Sequence, residues 1–206
     1  MSYLENYGTL TLRRGAGGSY DNGLCVMEAV AWLNGEKVTD TPECACPLLG
    51  GFAIYINDKL SHDDRQKLLP LALNLVGTRS EEHIDVRFNH MLGRVQEIFE
   101  GIEGIGSPNP CCDVGVSAYA QAKYFINRAK GESSVVKLRD YYMMGSRLSL
   151  ALNELKYLTK DEKILLEGID ILKEAIALGP NGSNELELYL PRIKALGEFS
   201  KNLEKV

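Results

Sequence analysis

Residues 80–100 read SEEHIDVRFNHMLGRVQEIFE. Within them Ile84, Phe88, Met91, Val95 and Ile98 recur at steps of four, three, four and three, which places apolar side chains on one stripe of an α-helix of about five turns. A helix with a single apolar stripe needs neighbours to cover it, and the flanking sequence offers several. Upstream, Val26, Ala29, Val30 and Leu33 repeat at three and four after Gly23, and Asn34-Gly35 ends that run as a C-cap. Asp40-Thr41-Pro42 reads as an N-cap with proline in the first turn, ahead of an apolar segment from Leu48 to Leu60. Ser61 and Asp64 cap a third segment, Arg65 to Val76, where Pro70 predicts a kink or a break into two turns.

Downstream, the glycine- and proline-rich stretch Gly101 to Pro110 ends the long helix. Three further helices are expected over Cys111 to Lys130, Ser134 to Leu158 and Thr159 to Leu178, the last opened by a Thr159 and Glu162 capping box. Gly179-Pro180-Asn181-Gly182 stops it, and Glu185 to Lys201 can form a final helix kinked near Pro191. One strand signal exists, the period-two alternation of Thr9 to Arg13 before Gly15 to Gly18. The expected fold is therefore mainly α. An N-terminal module, residues 1–78, with a strand or hairpin plus short helices, packs on a C-terminal helical bundle, residues 79–206.

The 206 residues are 45% hydrophobic and 25% charged, the balance of a globular chain rather than a fibre, a rod or a disordered tail. With 23 Lys and Arg against 28 Asp and Glu the net charge is −5, which argues against bulk capture of nucleic acid or an anionic membrane. The longest apolar run, Leu68 to Val76, is interrupted by Pro70 and Asn74 and is half the length a bilayer requires. The opening MSYLENYGTL has no basic stretch leading into an apolar one, so a cytoplasmic protein is expected.

Five cysteines, an odd number, read in a reducing compartment as thiols or metal ligands. Cys25 falls at the first turn of a helix, where the dipole favours a thiolate, and is the candidate nucleophile of a thiol-dependent hydrolase or transferase. The plainer reading of Cys25 is a buried small hydrophobe. Cys44 and Cys46 with Cys111 and Cys112 could share a zinc ion, but C-x-C and adjacent cysteines are strained ways to give two ligands to one tetrahedral ion, so no metal is expected. Gly15-Ala16-Gly17-Gly18 lacks the Lys-Ser/Thr ending of a phosphate loop, and no cofactor motif is present.

Arg79, His83, Arg87, His90 and Arg94 follow one another at four, four, three and four, a basic face beside the apolar stripe. It reads as a site for an anionic, nucleotide-like small molecule or an acidic partner protein, or else as a solvated face balanced by Glu81, Glu82 and Glu97. Tyr141-Tyr142-Met143-Met144 adds a second apolar face to a helix whose core stripe is already supplied by Leu138, Leu148, Ala151 and Leu155, which predicts self-association, a homodimer at least.

The segments Gly23 to Glu36 (GLCVMEAVAWLNGE), Thr39 to Cys44, Asn57-Asp58 and Leu75 to Thr78 resemble a group of bacterial and bacteriophage proteins with no assigned activity. The resemblance spans about residues 9 to 78 and transfers no catalytic residue. It implies a small cytosolic protein carried by phage or mobile elements, with modulation of host defence among the roles such a context suggests. The function expected from the residues is non-catalytic binding of an anionic ligand or a protein partner, with the Cys25 enzyme as the alternative.

Overall fold

The computed structural model describes residues 10–18, 22–102, 123–128 and 138–182. Seven helices are defined: α1 (Val26–Asn34), α2 (Pro47–Lys59), α3 (His62–Gln66), α4 (Leu69–Leu75), α5 (Glu81–Gly101), α6 (Leu138–Thr159) and α7 (Lys163–Ala177). Residues 123–128 are also helical. The helix expected over Cys111 to Lys130 is thus described only at residues 123–128, and Glu185 to Lys201 lies outside the described residues.

Local signals set most of the boundaries. Gly35 ends α1 in the left-handed region at φ 76°, and the N–H groups of Gly35 and Glu36 bond the carbonyls of Trp32 and Ala31, a paired closure that favours glycine there. The Ser61 hydroxyl accepts from the Asp64 N–H at 3.1 Å and starts α3. Pro70 produces the expected break, since α3 stops at Gln66 and α4 restarts at Leu69 with the proline in its first turn.

Three expectations are corrected. Helix α2 is capped at Cys46 and opened by Pro47, while Asp40-Thr41-Pro42 forms a turn ahead of it. Helix α7 begins at Lys163 without a Thr159 and Glu162 box: Thr159 Oγ1 donates back to the Leu155 carbonyl at 2.9 Å, and Asp161 Oδ1 accepts from the Lys163 N–H at 2.9 Å. No strand or hairpin forms among the described residues, only one parallel bridge between Leu12 and Leu24. The reason lies in Gln66 of α3, whose side-chain amide stands where a neighbouring strand would. Its Oε1 accepts from the Leu12 N–H at 2.8 Å and its Nε2 donates to the Leu12 carbonyl at 2.9 Å. The backbone is satisfied without a ladder, and Leu10 and Leu12 are buried.

Helix α2 occupies the centre. It packs most extensively on α6 and also meets α1 and α7; α1 rests on α4, and α5 covers α6 and α7. Side chains from residues 1–78 and from residues 79–206 belong to a single apolar cluster, so α2 finds its largest partner beyond Thr78. Two glycines allow the central contact: a Cβ on Gly51 would strike the Tyr142 carbonyl, and one on Gly145 would strike the Leu48 carbonyl. Among the described residues no helix is long and apolar enough to cross a membrane.

Candidate ligand cavity

The loop between α1 and α2 is built around one carboxylate. Glu36 accepts from the N–H of Glu43 at 2.7 Å, the N–H of Cys44 at 3.0 Å and the Asn34 side-chain amide at 2.8 Å. Burial raises the Glu36 pKa, but these donors outweigh it and hold the group below the ordinary carboxylate value. The far end of the loop is pinned by Thr78, whose Oγ1 accepts from the Cys46 N–H at 2.9 Å and donates to the Leu75 carbonyl at 2.7 Å. Arg79 follows at once, its N–H bonded to the Cys44 carbonyl and one guanidinium nitrogen to the Glu43 carbonyl, both at 3.1 Å.

A cavity of about 340 Å³ opens between this loop, the first turns of α1 and α2, and α6. Met27, Pro42, Ala45, Pro47 and Gly50 give it apolar walls. Asp40, Arg79 and Tyr142 bring the ionisable groups, and Thr41 and Cys46 complete the lining. Among the described residues the Asp40 carboxylate and the Tyr142 hydroxyl have no hydrogen-bond partner, and Asp40 and Arg79 make no ion pair with each other. Burial first, then the Asp40 charge, raises the Tyr142 pKa, so the phenol stays protonated at neutral pH. An apolar hollow with a few convergent polar groups is the usual form of a small-molecule site.

No family model, no curated protein and no solved structure matches the chain. The cavity therefore has to be read from its own chemistry.

The basic face of α5 is distributed differently from its spacing. Arg79 precedes the helix and lines the cavity, while the other four residues fasten α5 to residues 174–180. Arg87 is fully buried, donating to the carbonyls of Thr78 at 2.5 Å, Ala175 at 3.2 Å and Pro180 at 2.9 Å. His83 lies against Gly179, with its Nδ1 at 2.8 Å from the Ser80 hydroxyl. His90 and Arg94 share Glu174, at 2.9 and 3.1 Å, and Arg94 also reaches Glu97 at 3.0 Å. Burial would raise the Glu174 pKa, but these two partners bring it below its ordinary value. The carboxylate that offsets the cationic face is thus Glu174, far along the chain.

Cys25 is the N-cap of α1 and is buried. Its Sγ accepts from the Glu28 N–H at 3.3 Å while Glu28 Oε2 accepts from the Cys25 N–H at 2.8 Å, a capping box with sulfur in place of a hydroxyl. Burial pushes the thiol up to about 12, and the hydrogen bond from the Glu28 N–H opposes it only in part. The helix dipole does not overcome desolvation here. The thiol is thus held protonated at neutral pH. Cys25 in the native protein is therefore expected to react with a thiol reagent at the rate of unfolding; rapid single-site labelling, read by mass spectrometry, would contradict this.

Glu28 also explains the glycine-rich loop. Its buried carboxylate accepts from the N–H groups of Gly17 at 2.6 Å and Gly18 at 3.2 Å, and Asp58 Oδ1 accepts from the Gly15 N–H at 2.9 Å. These backbone donors, of the kind that bind phosphate, are taken by the chain's own carboxylates. Burial also pushes the Cys44 thiol up to about 12, aided by its hydrogen bond to Glu36, and Cys46 is buried. Cys111 and Cys112 lie outside the described residues, among which no group of three or more His, Cys, Asp and Glu could hold a metal. In the segment read as an association face, Met144 is in the core, Tyr141 donates to Asp85 at 2.8 Å, and Tyr142 lines the cavity.

By local pattern Asp40 and Pro42 belong to a helix cap and Tyr142 to an outer helix face. Nothing in their spacing links them, because the cavity joins a loop to a helix about a hundred residues later.

Proposed function

We propose that this chain is a non-catalytic binding protein that holds a small anionic molecule with an apolar body in the cavity beside α1 and α2, anchored by Arg79. The observation that carries this reading is the state of the five residues of the basic face. His83, Arg87, His90 and Arg94 are taken up by contacts that fasten α5, whereas Arg79, which gives one guanidinium nitrogen to the Glu43 carbonyl, is exposed and lines a cavity with apolar walls. The resemblance of residues 9 to 78 to phage and bacterial proteins sets this role in a phage or mobile-element context, in the cytoplasm.

A charge-assisted hydrogen bond to arginine contributes on the order of 1.5 to 3 kcal/mol, so Arg79→Gln is expected to weaken binding roughly ten- to a hundredfold. A thermal-shift panel of nucleoside monophosphates, aryl carboxylates and aromatic amino acids checks this on wild type, Arg79→Gln and Thr41→Trp. Thr41 is exposed at the cavity rim, so the tryptophan fills the space without entering the core. Stabilisation of wild type that both variants lose supports the assignment. Stabilisation that survives both, or none from any compound, refutes it.

A further inference from the structure

The cavity is not equipped for an anion alone. Asp40 stands on its lining with Arg79, and neither charge is neutralised by the other. A ligand carrying only a negative group would meet Arg79 but also bring its charge towards the Asp40 carboxylate. A ligand carrying only a positive group would meet the reverse conflict. Both conflicts vanish for a molecule with one charge of each sign on a short frame.

Resting on the reading of this cavity as the ligand site, we propose that its ligand is a zwitterion of the free α-amino-acid type with a large apolar side chain. The carboxylate meets Arg79, the ammonium meets Asp40, and the side chain lies against Met27, Pro42, Ala45 and Pro47. The volume of about 340 Å³ sits at the low end for small-molecule sites, which suits a single amino acid better than a dinucleotide or a long peptide. Tyr142 lines the same cavity within the field of Asp40 and offers a further polar group.

The test is calorimetric titration of the full chain with L-tryptophan, L-phenylalanine and L-leucine, and with tryptamine, tryptophan amide and indole-3-propionate, which lack or mask one charge. At least one free amino acid is expected to bind, and at least tenfold more tightly than its single-charge analogues. Asp40→Asn should erase the advantage over the desamino compound, and Arg79→Gln the advantage over the amine and the amide. Thr41→Trp should abolish binding altogether. If tryptophan amide equals tryptophan, the ligand is a peptide N-terminus and the free-amino-acid proposal falls. If indole-3-propionate equals or exceeds tryptophan, or if only nucleotides bind, the zwitterion is refuted while the anion site stands. If nothing binds, including the nucleotides and aryl carboxylates of the thermal-shift panel, both fall together.

Discussion

Replacing Arg87 with methionine is expected to lower the melting temperature by roughly 10 °C. The guanidinium is fully buried and serves three carbonyls, two of them Ala175 in the last turn of α7, which also accepts from the Leu178 N–H, and Pro180 just beyond that helix. The third, Thr78, closes the turn that pins the cavity loop. Methionine fills similar volume but leaves the Thr78 and Pro180 carbonyls without the guanidinium donor, and each acceptor stripped in this way costs about 1 to 3 kcal/mol. For a chain of this size each kcal/mol moves the midpoint by roughly 2 to 4 °C. Arg94→Met is the matched control. Arg94 is about one-third exposed and bonds the half-exposed Glu174, so its loss should cost less than about 1 kcal/mol. Thermal unfolding followed by circular dichroism separates them, and equal melting temperatures would contradict the assignment.

Gly145→Ala is expected to destabilise by about 3 kcal/mol or more, although alanine is the better helix former by up to about 1 kcal/mol. The added methyl would overlap the Leu48 carbonyl and stand 2.9 Å from the Phe52 nitrogen, and backbone atoms cannot move aside as a flexible side chain can. Gly51→Ala meets the same obstacle from the other side, at the Tyr142 carbonyl. Both changes force α2 and α6 apart along the most extensive helix contact in the described chain. Gly93→Ala in α5 tests the logic in reverse. Nothing lies within 4 Å of its added Cβ, so it should stabilise by roughly 0.5 to 1 kcal/mol. Chemical denaturation of the three variants reads out the two signs.

These expectations also show which parts of the fold could be read from the chain. Helices α1, α3, α4 and α5 follow from apolar spacing, a glycine after Asn34, a serine cap at Ser61 and the interruption at Pro70, all of which act within a few residues. No strand forms over Leu10 to Arg13 because the backbone N–H and carbonyl of Leu12 are taken by a side chain, Gln66, fifty-four residues away. The basic face of α5 was readable as a pattern, but its role was not. Whether Arg87 meets solvent or three carbonyls depends on where residues 175–180 return, and no local rule fixes that. The cavity was the least accessible of all, since Asp40 and Tyr142 meet only after α6 packs on α2.

Under the proposed function, a small ligand enters the cavity lined by Met27, Ala45 and Arg79. Methyl-detected NMR during titration with L-phenylalanine and with 3-phenylpropionate tests it most directly, because Met27 and Ala45 carry methyl groups in the cavity wall. Saturable shifts of the Met27 and Ala45 methyls, with Ile98 and Ile164 beside Arg94 unmoved, are the predicted result. Shifts confined to Ile98 and Ile164, or no saturable shift at Met27 and Ala45 with either compound, would contradict it.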